Sequence, residues 1–489
     1  RNDIFKKAQE FSHTEYDEFG VSSMITRTTN DPFVILQFTN TLLKMALITP
    51  VMFTISLVMI LKTSLSLSLV LAVVIPIIIL GVILIAKTSE PLSEKLQKRL
   101  DKLNRISREN LTGIRVIRAF GNEKYEEKRF DETNESYAEV AKKLNKLMAI
   151  SQPLFFFLLN IAIIVIFWIS SKMINVGTLQ VGQLVAFIEY LFHAMFSIML
   201  FSMVFVMYPK AQVSANRIME VLNTEPIIKS PKNGIKDTEN KGTIEFENVS
   251  FTYPNGEEPV IKDVSFSGKK GEVIAFIGST GSGKSTLINL IPRFYDVTKG
   301  SIKIDGVDVR DYDLKYLRKK IGFIPQKTLL FTGSIANNIK FGKKDAEYKE
   351  VEDSAKIAQA YEFISNKPNK FDEIITEGGS NVSGGQKQRL SIARAIVRKP
   401  DIYIFDDSFS ALDFKTDAIL RKELRSETKD AIVLIVAQRI GSIMDADKII
   451  VLNEGEVVGI GTHKELIKNC PIYHEIATSQ LTEEELANE

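Results

Sequence analysis

A chain of 489 residues with 62 Lys and Arg against 60 Asp and Glu has a net charge of +2, so it carries no basic excess for nucleic acid. The length accommodates two or three domains. The single cysteine, Cys470, excludes internal disulfides and fits a reducing compartment or low cysteine use.

The chain opens at Arg1 on a charged, amphipathic stretch without Met, so residue 1 is not expected to be the native start. Most long apolar runs fall within residues 34–208. Residues 65–86 (LSLSLVLAVVIPIIILGVILIA) hold no charge and suit a bilayer span, and residues 148–171 form a second such stretch. Two weaker stretches are 41–61, which carries Lys44, and 184–208, which carries Glu189 and His193. A buried core helix would need only about 10–14 apolar residues. Four spans are therefore expected, at about 34–62, 65–105, 135–172 and 181–210. The connections at Lys62–Ser64 and Lys172–Gly182 are short, while 87–146 is dense in Lys and Arg. The excess of positive charge places 87–146 in the cytoplasm and the short loops outside.

Within these spans Lys44 can snorkel to the interface. Glu189 and His193, four apart, share a helix face. Ionisable groups at such depth are costly and often functional, but mutual pairing or a place near the outer end is the better account of these two. Phe155, Phe156, Phe157, Phe167 and Trp168 suit lipid or packing better than a defined ligand path.

Residues 1–222 thus read as a membrane domain and the polar stretch 223–240 (NTEPIIKSPKNGIKDTEN) as a linker. Residues 241–489 alternate short β-rich runs with helical patterns, as an α/β P-loop domain does. The acidic tail TEEELANE reads as a solvated helix end.

Gly278, Ser279, Thr280, Gly281, Ser282, Gly283, Lys284 and Ser285 match G-x-x-x-x-G-K-[ST] directly after the apolar run Val273–Ile277. Glycines let the backbone wrap closely around phosphates, with N–H groups aimed inward. Lys284 is expected to reach the β- and γ-phosphates of ATP, Ser285 to ligate Mg²⁺, and Thr286 to join the loop in binding the nucleotide. A second apolar run, 402–406, ends in Asp406, the residue type that holds the Mg²⁺ shell in P-loop enzymes.

Between these lies VSGGQKQRLSIARA, 382–395. Its Ser383, Gly384, Gly385 and Gln386 resemble the signature of ATP-binding cassette (ABC) transporters. Other elements resemble that family in order. Tyr253 is similar to its adenine-stacking aromatic. Gln326 resembles the lid glutamine that senses Mg²⁺ and the membrane domain. Ser410–Asp413 (SALD) resembles the loop that crosses the dimer interface, and Glu377 the acidic loop that touches coupling helices. GTHKEL, with His463, also recurs there and reads as structural. Residues 15–31 resemble the first intracellular coupling region with the start of the next long helix, and 111–126 the second. The resemblance covers essentially the whole chain. It implies an α-helical transmembrane domain of ABC exporter type followed by an α/β P-loop ATPase domain. Six spans precede the ATPase in that family, so the first two are expected outside this sequence.

Two positions depart from the family pattern. A Glu that polarises the attacking water is replaced by Asp407, about 1–1.5 Å shorter in reach. Misplacement of about 1 Å can cost on the order of 10²-fold in rate. A switch His is replaced by Gln438, which can donate a hydrogen bond but cannot become a cation. ABC dimers sandwich each ATP between one chain's phosphate loop and the other's signature. The resemblance therefore implies one half of a heterodimeric bacterial multidrug exporter in the plasma membrane. Its own site would bind ATP and hydrolyse it slowly. The implied partners are a second, non-identical half-transporter, membrane lipid and amphiphilic small molecules, with no nucleic acid. A peptide or lipid exporter of the same fold, or an ATP-binding regulatory subunit, are the alternatives. A DNA-repair ATPase with a similar signature would lack the apolar spans.

Overall fold

The computed structural model describes residues 1–238, 242–254 and 256–481. The acidic tail read above as solvated lies outside them.

Two short helices, α1 (Asn2–Glu10) and α2 (His13–Phe19), precede four long ones: α3 (Val21–Thr63), α4 (Leu65–Phe120), α5 (Glu123–Asn175) and α6 (Val181–Asn223). Each long helix contains a stretch apolar enough to cross a membrane. The 56 residues of α4 extend about 84 Å at 1.5 Å per residue, far more than the ~30 Å hydrocarbon core. Apolar residues such as Leu69, Ile164 and Trp168 are exposed, as a lipid-facing surface requires. Ile60, Leu67, Leu159, Ile166, Phe187 and Leu191 pack the four long helices together. Gly121, left-handed at φ 63°, caps α4 and turns the chain into α5. That turn falls inside the second coupling region read from sequence. Glu189 and His193 are both exposed on α6.

Residues Phe5–Met24 cluster in space with Thr224–Glu489, while Arg1–Ile4 and Ile25–Asn223 form the other compact unit. Position along the chain thus assigns α2 to the expected membrane domain, whereas contacts assign it to the unit that holds Thr224–Glu489.

Among its described residues the second unit has twelve strands: β1 (Thr243–Phe251), β2 (Ile261–Lys269), β3 (Val273–Gly278), β4 (Lys299–Ile304), β5 (Val307–Asp308), β6 (Ile321–Ile324), β7 (Gly333–Ser334), β8 (Ile374–Ile375), β9 (Ile402–Asp406), β10 (Ile432–Val436), β11 (Lys448–Asn453) and β12 (Glu456–Gly461). The main sheet runs β12-β11-β3-β10-β9-β6, parallel except for β12 at its edge. Both β9 and β10 are buried along their whole length, as inner parallel strands must be. Alternate residues enter different cores. Tyr403, Phe405, Val433 and Ile435 face one cluster, and Ile402, Ile404, Ile432 and Leu434 the other. The second sheet, β2-β1-β4-β5, is antiparallel.

Lys320 is 5% exposed and donates to Asp305 Oδ2 at 2.6 Å, itself 1% exposed, and to Asp401 at 3.2 Å. Asp305 Oδ1 accepts from the backbone of Gly242 (2.6 Å) and Thr243 (3.1 Å). This buried pair fastens the end of the linker to the domain.

Candidate nucleotide site

Parallel strands place the motif residues side by side. β3, β6, β9 and β10 all end at the same sheet edge, where α/β folds bind ligands. The register Val436 opposite Asp406, with Ile324 opposite Phe405, brings the segments after β10 and β6 next to Asp407. Ser408 Oγ donates to Ile324 O at 3.1 Å and ties two of these strand ends together.

The phosphate loop leaves β3 and enters α7 (Lys284–Leu290). A Cβ on Gly278 would lie 2.0 Å from Leu452 O. Gly283 has φ 94°, and a Cβ there would meet Ile261 Cδ1 at 2.6 Å. Only glycine fits these two positions. Lys284 is 8% exposed, and its Nζ donates to Gly278 O (2.8 Å), Ser279 O (2.7 Å) and Ser282 Oγ (3.2 Å). Burial lowers its pKa, partly offset by Asp407 and Asp406.

Ser285 Oγ donates to Asp406 Oδ1 at 2.8 Å. A hydroxyl and a buried carboxylate in contact form an oxygen donor set suited to Mg²⁺. Asp406 is 6% exposed, and desolvation raises its pKa above the ordinary value despite that bond. Burial likewise raises Asp407, against hydrogen bonds and the charges of Arg439 and Lys284. A carboxyl with a raised native pKa holds its proton more tightly folded than unfolded. The charged forms therefore cost stability at neutral pH, and that cost fades as pH falls through the native pKa values toward the unfolded ones. Asp406→Asn is expected to raise the melting temperature of the nucleotide-free protein by a few degrees and to remove Mg²⁺-dependent stabilisation by ATP. Thermal unfolding with and without Mg²⁺–ATP checks both, and a lower melting temperature would contradict the first.

The two departures from the family pattern touch each other. Gln438 Nε2 donates to Asp407 Oδ2 at 3.1 Å, and Gln326 Nε2 approaches the same oxygen at 3.4 Å. Asp407 is left-handed at φ 46°, with its backbone N–H held by Val436 O at 3.0 Å.

Tyr253 lies beside the loop, its hydroxyl 3.0 Å from Thr286 Oγ1. Its ring stands edge-on to Phe251 and Tyr295, with centroids 4.9 and 5.3 Å away. Sequence reading missed Tyr295, because no local motif marks an aromatic that only touches another ring.

Ser383 caps the helix Gly384–Ile396, accepting from Gln386 N at 3.3 Å, while Gln386 Oε1 accepts from Ser383 N at 3.1 Å. Gly384, in that helix's first turn, faces open space. Asp413 caps the next helix through Thr416 N at 3.0 Å. Glu377 starts a short 3-10 turn. His463 is buried, with Nδ1 2.7 Å from Tyr473 Oη.

Residues 1–207 match the ABC transporter transmembrane region, and residues 261–410 match the family described as ABC transporter. An uncharacterized ABC transporter ATP-binding protein of Bacillus subtilis, YfiB, is 40% identical over 99% of this chain and 84% of its own length. The chain belongs to the ABC transporter family. It is a multi-pass plasma-membrane exporter with an ATP-hydrolysing domain. YgaD of the same bacterium, provisionally named a multidrug export ATP-binding/permease protein, is 35% identical over 76% of this chain and 64% of its own length. A solved bacterial Atm1-family ABC exporter with ATP bound superposes with a TM-score of 0.81, at 25% identity over 99% of this chain and 84% of that one.

Proposed function

We propose that this exporter chain works as one half of a heterodimer, with a hydrolysis-impaired ATP site of its own. The observation that carries this reading is the contact of Gln438 with Asp407. The amides of Gln438 and Gln326 both lie at Oδ2, the oxygen a catalytic carboxylate would turn to water. An amide accepts no proton at neutral pH, so the pair offers neither a base of full reach nor a switchable cation.

ATP binding is retained in this reading. The Gly278–Thr286 backbone and Lys284 hold phosphates, and Tyr253 holds adenine. Ser285 and Asp406, with Gln326, would hold Mg²⁺, which neutralises phosphate charge when bound. Ser383, Gly384, Gly385, Gln386 and Asp413 complete the partner's site, where most hydrolysis occurs. Nucleotide-driven closure then switches the spans from inward to outward access. The cargo in this reading is amphiphilic small molecules, and the naming of YgaD for multidrug export supports it.

Purified alone, the chain is expected to turn over ATP about 10²-fold more slowly than the assembled pair. Asp407→Glu combined with Gln438→His should raise hydrolysis at this chain's own site within the pair, and Asp407→Glu alone should not create a fast homodimer. Steady-state ATPase assays of the chain with and without its partner decide the matter. Brisk turnover by the wild-type chain alone would sink the asymmetric reading.

A further inference from the structure

Glu15 lies in the first turn of α2 and is 2% exposed. A buried carboxylate needs partners for both oxygens. Oε2 accepts from Ser12 N and Ser12 Oγ, both at 2.6 Å, closing a capping box at the start of α2. Oε1 has no part in that cap. It accepts from the backbone N–H of Ile227, in the linker, at 2.8 Å. Desolvation would raise the pKa of Glu15, but these hydrogen bonds outweigh it and hold it below the ordinary value.

The linker segment that receives this bond is itself laced to the ATPase domain. Arg293 donates to Lys229 O at 3.1 Å, and Ser230 Oγ accepts from Leu314 N at 2.8 Å. Ile235 exchanges backbone bonds with Asp311 and Asp313. On its other side α2 places His13 against Phe294, ring centroids 4.8 Å apart, and near Tyr295 at 5.9 Å. Tyr295 is the ring that abuts Tyr253. The helix is thus gripped between the linker and the aromatic group beside the phosphate loop. Gly20, at φ 73°, separates it from α3, and a Cβ there would meet nothing within 4 Å.

We propose that Glu15 is a positioning residue for transport. Its carboxylate fastens the first coupling helix to the interdomain linker, so helix, linker and ATPase domain move as one body and the chain bends at Gly20. This inference needs only the exporter's ATP-driven cycle, so it holds whether the functional unit is a heterodimer or a homodimer.

The test uses the intact transporter, extracted with its partner and placed in lipid nanodiscs. Glu15→Ala removes the acceptor. Ile227→Pro removes the donor N–H at a position whose own side chain is 62% exposed. Two readouts are compared: ATP hydrolysis, and the change in hydrogen exchange along α3–α6 on adding a non-hydrolysable ATP analogue. In both variants hydrolysis should stay within about twofold, while the nucleotide-driven exchange change shrinks about fivefold or more. The Ile227 amide should also lose protection in Glu15→Ala. An unchanged exchange response would overturn the proposal. So would a parallel fall of hydrolysis and response in both variants, which marks a purely structural contact. Failure of the asymmetric reading would appear elsewhere, as brisk ATPase activity from the wild-type chain alone.

Discussion

Gly384→Val in the assembled transporter is expected to lower ATP turnover about 10²-fold, a loss of the size seen when one preorganised donor is removed from a catalytic site. Asp407→Ala in the same assembly should cost less than about threefold, because on the proposed reading its carboxylate contributes little to the faster site. The contrast is informative because neither change should unfold the chain. A side chain on Gly384 would enter space with no atom within 4 Å. Asp407 makes its surviving backbone bonds, N–H to Val436 and C=O from Ser410, without its side chain. On the proposed reading, valine at position 384 would obstruct the approach of the partner's nucleotide. Equal losses from the two variants would instead indicate two equivalent sites and a symmetric dimer. Steady-state turnover with matched melting temperatures is the measurement.

Asp305→Ala should destabilise the ATPase domain by about 3–5 kcal/mol, the cost of stranding a buried charge. Lys320 remains 5% exposed, with Asp401 as its remaining carboxylate and that group 45% exposed. Burial disfavours the Lys320 ammonium, yet bonds to Asp305 and Asp401 raise its pKa above the ordinary value. For a group of raised pKa, the stabilisation is complete below the unfolded value near 10.5 and disappears only as pH climbs through the native one. The wild-type pair therefore contributes fully at neutral pH, and the loss in the variant should not depend on pH between about 6 and 9. A fall in melting temperature of about 10 °C is expected for a domain of this size. A shift below about 2 °C would show the pair to be dispensable.

The motifs that build the site were legible because each is local. A phosphate loop, a strand ending in Asp406 and a Ser383 cap announce themselves within a few residues. Long spans were equally plain, since 65–86 carry no charge. The bond between Gln438 and Asp407 was not legible, because it depends on the register of β9 against β10. The sequence could mark both positions as departures, but not show that they meet. Glu15 illustrates the same limit more sharply. Its capping box can be read from Ser-His-Thr-Glu, whereas its second bond reaches a residue 212 positions away. The grouping of α2 with the ATPase unit escaped for that reason as well.

The turn at Gly121 joins two helices of 56 and 53 residues that pack along one another. The uncharged part of α4, residues 65–86, reaches about 33 Å, and the remainder to Phe120 about 51 Å. Were the hairpin to tilt as one body about the point where its charges begin, its two arms would be unequal. A push of about 3 Å on the cytoplasmic tip would swing the outer end by about 2 Å in the opposite direction. Opposed motion at the two faces of the membrane is then a matter of leverage, set by where along the helix the charges begin.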